Sequence, residues 1–248
     1  YPVALAVKLP GGTLAIMLLA AGAGLRRPPG GRHPLTPLLI TALILALGTI
    51  AGAKANIGVR YLLPAVVLGF VACGHAAVVL SGTGGVGRRL CRGFAATAGA
   101  ILVAEAAWVT PRPLTFFNGL AGGPVGGQRV LNDSNADWGQ GLLDLRDWMH
   151  RQGVARVQLA YFGRVNPQVY GVNFTMPPGI ASDAAVSDTN RWLVVSSYFR
   201  AGLAYRIARP EGGRGEFASL PYAAELRRRA PVAIVGNVLF VYDLHAAD

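Results

Sequence analysis

The sequence has almost no acidic residues before position 110, where Glu105 is the only one. The same stretch carries nine lysines and arginines, whereas residues 111–248 carry fourteen arginines and eleven acids. The net charge of +11 therefore lies mainly beside apolar sequence. This distribution fits anionic lipid headgroups better than a nucleic-acid groove. Basic residues interleaved with stacking aromatics, which are typical of single-strand binders, are not evident, so no nucleic-acid partner is expected.

Cysteine and histidine are also scarce. The two cysteines, Cys73 and Cys91, are too few for a disulfide framework. The four histidines have neither the spacing nor the neighbouring Cys or acidic residues of a metal site, so no metal and no cofactor are expected. The glycine-rich string at Gly82–Gly87 follows an apolar run rather than a strand, and it is interpreted as a loop instead of a dinucleotide site.

Long apolar runs dominate the sequence before Thr110. A membrane-spanning helix needs about 20 apolar residues, and four runs come near this length. They predict a membrane helical bundle with about four transmembrane helices. The runs are residues 10–25, Pro37–Ala53, Tyr61–Leu80 and Phe94–Val109.

The loops between these runs predict an orientation. Three arginines follow the first run and three follow the third, whereas Lys54 and Arg60 are the only basic residues between the second and third. The positive-inside rule places the arginine-rich loops in the cytoplasm. Lys54, Arg60 and everything after Thr110 are then external, which in a bacterium means periplasmic. The predicted location is a multi-pass protein of the bacterial inner membrane.

The second half of the chain predicts a small α/β domain with a partly parallel sheet, because strand and helix patterns alternate. A two-residue Gly236-Asn237 turn predicts a hairpin. Residues 1–110 are thus the predicted transmembrane region and residues 111–248 the external domain. The predicted strands are Arg129–Leu131, Val154–Phe162, Trp192–Tyr198, Val232–Val235 and Val238–Tyr242, the helices are Trp138–Gln152 and Leu220–Arg229, and Gly171–Asn190 is a predicted long loop.

The sharpest polar string of the chain is Asn132–Gln140, which contains two carboxylates four positions apart. Asp133 and Asp137 could form an acid/base pair or a cation site. The simpler interpretation is a strand-to-helix connection in which Asp, Ser and Asn side chains cap helix N–H groups. A loop that binds substrate, or that packs Trp138 against the apolar half, is a further alternative.

Several segments together resemble the C-terminal part of bacterial membrane glycosyltransferases of family 39, relatives of the protein O-mannosyltransferases and the aminoarabinose transferases. The resemblance covers most of the chain and is most specific around residues 132–140. The segments are Tyr1-Pro2, Lys8–Pro10, Asn56–Pro64, Phe116–Asn118, Gly122–Pro124, Asp133–Gln140, Ala160–Gly163 and Tyr170–Gly171.

The resemblance implies a GT-C fold and transfer of a sugar from a polyprenyl-phosphate carrier to an acceptor on the external face. It also implies a general base in the first external loop, which would lie upstream of Tyr1. The chain is therefore expected to be the C-terminal piece of a longer enzyme and to lack its own base. Glu105 is a poor match for this role. Asp133, Asn135, Asp137, Trp138 and Gln140 are expected to form an acceptor-side or structural site.

Three basic residues are candidates for binding the carrier phosphate. A phosphate at the external interface needs cations, because uncompensated charge at membrane depth is costly. Arg60 suits bidentate phosphate contact, and Lys54 suits contact as a point charge. Lys8 would lie near the same face. The alternative for Arg60 is that it only extends its charge to the interface from a helix end.

Two other classes of protein remain open at this stage. The first is a non-catalytic module, in which a membrane-anchored external α/β domain binds glycan or a partner protein. The second is a transporter fragment, although the four apolar runs contain no convincing internal repeat. The expected partners are membrane lipid and a polyprenyl-phosphate sugar, with the acceptor unassigned.

Overall fold

The structure, a computed structural model, describes residues 2–24, 36–52, 59–81, 85–180, 190–212 and 214–246. The chain divides into two compact units, Tyr1–Gly123 (unit 1) and Pro124–Asp248 (unit 2). Unit 1 extends beyond residue 110 because the segment after the last apolar helix is bonded to the start of the chain. The side-chain amide of Asn118 donates to the carbonyl oxygens of Ala6 and Leu9 at 2.6 and 2.8 Å.

The described part of unit 1 is built from helices. They are α1 (Pro2–Lys8), α2 (Gly11–Gly24), α3 (Thr36–Gly52), α4 (Leu63–Ser81), α5 (Gly85–Val109) and short 3-10 turns at Val59–Leu62, Pro113–Thr115 and Gly119–Ala121. Helix α2 packs against α4 and α5, and α3 packs against α4. At Gly12 a Cβ would collide with the carbonyl oxygen of Ala98, so glycine is what allows α2 and α5 to approach closely.

Glu105, the single acid before Thr110, caps a helix. Its Oε2 accepts a hydrogen bond from the N–H of Gly11, the first residue of α2, at 2.7 Å. A carboxylate is favourable there because the first N–H groups of a helix have no partner within the helix and its N-terminus is electropositive. Glu105 therefore joins α5 to the start of α2.

The predicted bundle of about four membrane spans is wrong, and so is the GT-C bundle implied by the resemblance. Among the described residues, only Arg88–Val109 of α5 is long and apolar enough to cross a membrane. The structure also has shorter apolar helices at Gly11–Gly22, Ile40–Gly52 and Val59–His75.

The physical reason is helix length. A crossing takes about 20 helical residues, but α2 has 14 and α3 has 17. Helix α2 begins only after Pro10 and ends at Gly24, and α3 ends at Gly52. Helices α2 and α3 follow their apolar runs, residues 10–25 and Pro37–Ala53, to within one residue at each end, so these runs were already short of a full crossing.

Unit 2 combines a mixed sheet with helices. Its helices are α6 (Gly123–Gly126, which begins at the last residue of unit 1), α7 (Leu142–Gln152), α8 (Ser197–Arg200) and α9 (Ala223–Arg228). Its strands are β1 (Val157–Ala160), β2 (Phe174–Thr175), β3 (Trp192–Ser196), β4 (Tyr205–Ala208), β5 (Arg214–Ala218), β6 (Ala233–Val235) and β7 (Leu239–Asp243).

Five of these strands form one sheet in the order β2-β1-β3-β7-β6, and β4 and β5 form a separate antiparallel pair. Strand β1 is parallel to both β2 and β3, whereas β7 is antiparallel to β3 and β6. Val194 of β3 stands opposite Leu159 on one side and Val241 on the other. The sheet is thus partly parallel, as the sequence predicted.

Both faces of the central strands are buried. Val194 packs in a core with Leu142 and Leu145 of α7, whereas its neighbours Leu193 and Val195 pack in a second core on the opposite face. Successive side chains of a strand point to opposite faces, so a strand covered on both sides has a continuous apolar sequence. This explains why Leu193–Val195 shows no polar alternation.

Most of the predicted elements of unit 2 form. The helix predicted at Trp138–Gln152 begins later than expected, at Leu142, and ends at Gln152; the following Gly153 is left-handed (φ 64°), as a helix stop requires. The predicted strands around β1, β3, β6 and β7 are confirmed, and the turn between the last two has positive φ at both Gly236 and Asn237.

Other predictions for unit 2 were wrong or incomplete. Arg129–Leu131 is not a strand, because Arg129 ends a 3-10 turn that begins at Gly127. The short strand β2 lies inside the predicted loop Gly171–Asn190, of which residues 181–189 lie outside the described part. The β4–β5 pair was not predicted.

Candidate functional site

The polar string Asn132–Gln140, called the polar loop below, lies at the carboxyl edge of the sheet in unit 2. It contacts Tyr161, which directly follows β1, and Ser197, which directly follows β3. Strands β2 and β3 flank β1 on opposite sides, so the direction of strand addition reverses beside β1. Ligands of open α/β sheets bind outside the carboxyl ends of the strands at such a reversal. The polar loop therefore occupies the position where a ligand site is expected.

Asn132 fixes the start of the polar loop to the end of β3. Its Nδ2 donates to the carbonyl oxygen of Ser197 at 2.9 Å, and its Oδ1 accepts from the Ser197 hydroxyl at 3.1 Å. The same Oδ1 accepts from the backbone N–H of Asp133 at 2.9 Å. Asp133 has a positive φ of 63°, which is uncommon for a residue other than glycine, and the Asn132 contacts hold it there.

Asp137 is completely buried. Its Oδ1 accepts from the N–H of Gly139 at 2.8 Å, and its Oδ2 has no hydrogen-bond partner among the described residues. Burial raises the pKa of Asp137 to about 7, and the hydrogen bond from Gly139 opposes this shift only in part. Asp137 therefore orders the turn that precedes α7. It does not cap that helix as the simpler interpretation expected, because the N-cap residue is Gly141 and, among the described residues, no side-chain hydrogen bond caps the first N–H groups of α7. It cannot touch a substrate in this conformation.

Tyr161 lies between two glycines at the edge of the site. A Cβ added to either Gly139 or Gly163 would collide with its phenol ring and hydroxyl. Burial raises the pKa of Tyr161, and the negative charge of Asp137 raises it further, so the phenol stays protonated. The buried carboxyl and phenol thus belong to one cluster, although no hydrogen bond joins them.

The remaining polar residues fold the loop onto itself. The indole N–H of Trp138 donates to the carbonyl oxygen of Ser134 at 2.7 Å, and Gln140 bonds both the N–H of Trp138 and the carbonyl oxygen of Ala136. The side-chain amide of Asn135 donates to the carbonyl oxygen of Asn132 at 3.1 Å. These contacts leave about half of Trp138 exposed (51%), so it is the most exposed residue of the polar loop and its ring is accessible to a ligand.

A cluster of aromatic rings lies beside the polar loop; its members Phe162, Tyr198 and Tyr205 are called the aromatic wall below. The rings of Phe162 and Tyr198 stack at 4.3 Å, and Tyr205 lies 4.5 Å from Phe162 and 6.4 Å from Phe217. Burial raises the pKa of Tyr198, and the charge of Asp133 adds to the shift, which places this carboxylate near the wall. The exposed Phe217, with Tyr205, lines a pocket of about 420 Å³.

Two of the three candidate phosphate ligands, Lys8 and Arg60, lie among the described residues of unit 1. In unit 1, Lys8 donates to the carbonyl oxygens of Leu114 and Phe116 at 3.2 and 2.6 Å, and it lies 4.2 Å from the centroid of the Phe117 ring. Burial lowers the pKa of Lys8 to about 8. These contacts give Lys8 a structural role.

Arg60 is exposed in the Val59–Leu62 turn, and its guanidinium carbon lies 5.8 Å from the centroid of the Tyr61 ring. The turn and α1, which carries Lys8, are in contact. Lys54 lies outside the described residues.

Tyr161, Ser197 and Tyr198 were not predicted as site residues. The available signal was their position directly after predicted strands, where ligands of α/β sheets bind. The part of the chain that the structure describes contains no group of three His, Cys, Asp or Glu residues that could hold a metal ion.

No protein-family model, no curated protein and no solved structure matches this chain.

Proposed function

We propose that the chain is the C-terminal part of a membrane-bound glycosyltransferase that transfers a sugar from a polyprenyl-phosphate carrier to an acceptor. The observation that carries the proposal is the meeting of two segments of the resemblance, Asp133–Gln140 and Ala160–Gly163, at the carboxyl edge of one sheet. Helix α7 and the start of β1 separate the two segments along the chain. The two segments therefore lie close together because of the fold and not because they are neighbours in sequence. This convergence supports a common binding role for the two segments.

The exposed apolar surface of α5 supports a membrane location. Val103 and Trp108 are 68% and 60% exposed, and hardly any of the Arg88–Val109 segment is buried within unit 1. A core helix of a protein in water would bury these side chains, whereas a lipid-facing helix exposes them. Arg88 and Arg89 stand near the start of α5, which favours a cytoplasmic position for that end and an external one for the chain after Thr110.

The site in unit 2 supports recognition of a saccharide. Sugar rings present C–H groups that pack on aromatic faces, and hydroxyls that bond to amides and carbonyls. The partly exposed rings of Tyr198 and Tyr205, which pack on the buried Phe162, offer such faces beside the polar loop, together with the exposed Trp138. We assign this site to the acceptor side of the reaction.

Catalysis by Asp137 does not fit its burial, because a general base must come within hydrogen-bond reach of the proton it removes. Asp137 is therefore not assigned as the base of the transferase. The same observation favours a second candidate, a non-catalytic domain that binds glycan without transferring it.

A transfer assay separates these two functions. The full-length protein in lipid nanodiscs is incubated with radiolabelled polyprenyl-phosphate hexoses and pentoses, and both free polyprenyl phosphate and labelled acceptor are measured. Release of the carrier with transfer of label is the expected result. Saccharide binding without carrier release would reject the transferase and support the non-catalytic glycan-binding domain. If neither saccharide binding nor carrier release is found, both proposed functions are overturned.

A further inference from the structure

Three arginines of unit 2 line one pocket, called the arginine pocket below. Arg129, Arg200 and Arg227 surround a cavity of about 240 Å³, and none of its described lining residues is acidic. Asn132 and Ser197 belong to the lining as well, so the pocket adjoins the polar loop. A cavity of this size accommodates a phosphate group with part of an attached sugar.

Two of the arginines are held in place by neutral groups. Nε of Arg200 donates to the hydroxyl of Tyr242 at 2.7 Å, and its guanidinium lies 4.5 Å from the centroid of the Phe240 ring. Nη2 of Arg200 donates to the carbonyl oxygen of Arg227 at 3.3 Å, and Nη1 of Arg227 donates to the carbonyl oxygen of Arg200 at 3.0 Å. These bonds fix the direction of both guanidinium groups before any ligand arrives.

The electrostatics of the arginine pocket favour an anion. The bonds of Arg200 and Arg227 described above satisfy N–H donors but neutralise no charge, and the described ion pairs of unit 2 involve Arg146 and Arg191 instead. Adjacent like charges repel, and an anion between them removes this repulsion. Guanidinium groups match the geometry of phosphate oxygens through paired N–H donors. A carboxylate has fewer oxygens to share among three arginines.

We infer that the arginine pocket binds the phosphate group of a phosphorylated saccharide. Such a phosphate can belong to a lipid-linked sugar or to a soluble sugar phosphate, and the chemistry of recognition is the same for both. Identification of this phosphate with the carrier phosphate rests on the proposed function, whereas phosphate binding itself does not.

Phosphate titrations of the full chain in detergent micelles test the inference. In the first assay the probes are inorganic phosphate and a hexose 1-phosphate, and binding is measured by ³¹P NMR. In the second assay the probes are nanodiscs with or without polyprenyl phosphate, and binding is measured by co-sedimentation. The expected result is saturable binding that weakens about tenfold in Arg129→Gln and in Arg227→Gln, the loss of one charge-assisted hydrogen bond each. Arg151→Gln, on the exposed surface of α7, is the matched control and leaves the affinity unchanged.

The arms of the experiment identify the source of the phosphate. Binding of hexose 1-phosphate that depends on the arginines supports a soluble ligand, and arginine-dependent binding only to nanodiscs with polyprenyl phosphate supports a lipid-linked one. Equal affinity in wild type and in folded Arg129→Gln and Arg227→Gln variants would overturn the inference, as would an equal loss in Arg151→Gln. Arginine-dependent binding without sugar transfer would reject the proposed function while leaving the pocket intact.

Discussion

The phenol ring of Tyr161 lies so close to the backbone of Gly139 that a single added methyl group would collide with it. Gly139 also has a positive φ of 81°, a conformation that side chains other than glycine rarely adopt. On its other side Tyr161 is limited by Gly163 in the same way. These contacts join the polar loop to the end of β1, and they explain why both segments need glycine.

Gly139→Ala is expected to lower the free energy of unfolding of unit 2 by roughly 2–4 kcal/mol, because it adds a collision to an unfavourable φ. The measurement is urea unfolding of the full chain in detergent, followed by tryptophan fluorescence. Gly153→Ala is the matched control. Gly153 also has a positive φ, but nothing lies within 4 Å of the added Cβ, so about 1 kcal/mol is expected. Equal losses in the two variants would contradict the close contact with Tyr161.

Asp137→Asn is expected to change the pH dependence of stability. The pKa of Asp137 is about 7 in the folded protein, against an ordinary value of 3.8. Between these values the folded state binds a proton that the unfolded state releases, so stability falls as pH rises from about 4 to 7 and stays low above 7. Asparagine keeps the acceptor for Gly139 but cannot ionise. The variant should therefore be more stable than wild type at pH 8, by roughly 2–4 kcal/mol.

Thermal unfolding at pH 5 and pH 8 measures this effect, with Asp147→Asn on the exposed face of α7 as the control. The gain should be much smaller at pH 5, and it should vanish only below about pH 4, where Asp137 is protonated in both the folded and the unfolded state. A variant that folds well but loses all sugar transfer would contradict the structural role of Asp137.

Asn132 and Ser197 are expected to be energetically coupled, because each side chain bonds to the other residue. A double-mutant cycle with Asn132→Ala and Ser197→Ala should give a coupling energy of about 1 kcal/mol in the free energy of unfolding. Additive effects of the two substitutions would mean that the polar loop is not held to the end of β3 by this pair.

Arg60→Ala is expected to reduce binding of a polyprenyl-phosphate sugar by roughly tenfold in the full-length protein, through loss of a charge-assisted contact. The control is Arg112→Ala, which removes a charge from unit 1 after the last apolar helix. Circular dichroism checks that both variants fold. Wild-type carrier binding by a folded Arg60→Ala protein would show that Arg60 does not contact the carrier phosphate and would leave interface anchoring as its role.

The elements of unit 2 with strong local signals could be predicted from sequence. The apolar stripe of α7, the glycine at its end and the Gly236-Asn237 turn each determine local conformation through backbone preferences. The two-residue strand β2 could not be predicted, because its residues pair only with β1 and have no periodicity of their own. The β4–β5 pair escaped prediction for a comparable reason, since much of its sequence is charged or small.

The predicted number of membrane spans was wrong because apolar runs shorter than about 20 residues were accepted as crossings. Apolar runs of nearly spanning length were interpreted as membrane helices, yet Pro10, Gly24 and Gly52 lie where helices begin or end. From the sequence, Glu105 was assessed only as a candidate catalytic base in an apolar run, and its role as a helix cap was not predicted. Its bond to Gly11 connects positions far apart in sequence, which no local pattern reveals.

The sequence by itself determined the change from apolar to mixed composition near residue 110, the strands that are buried on both faces and the segments in which polar residues are concentrated. It did so because periodicity, turn chemistry and charge are local properties. Only the tertiary structure decided that Asp137 is buried and raised in pKa, that Tyr161 lies between Gly139 and Gly163, and that Arg129, Arg200 and Arg227 share a pocket. Burial and proximity depend on which distant segments pack together, and that packing is a property of the whole fold.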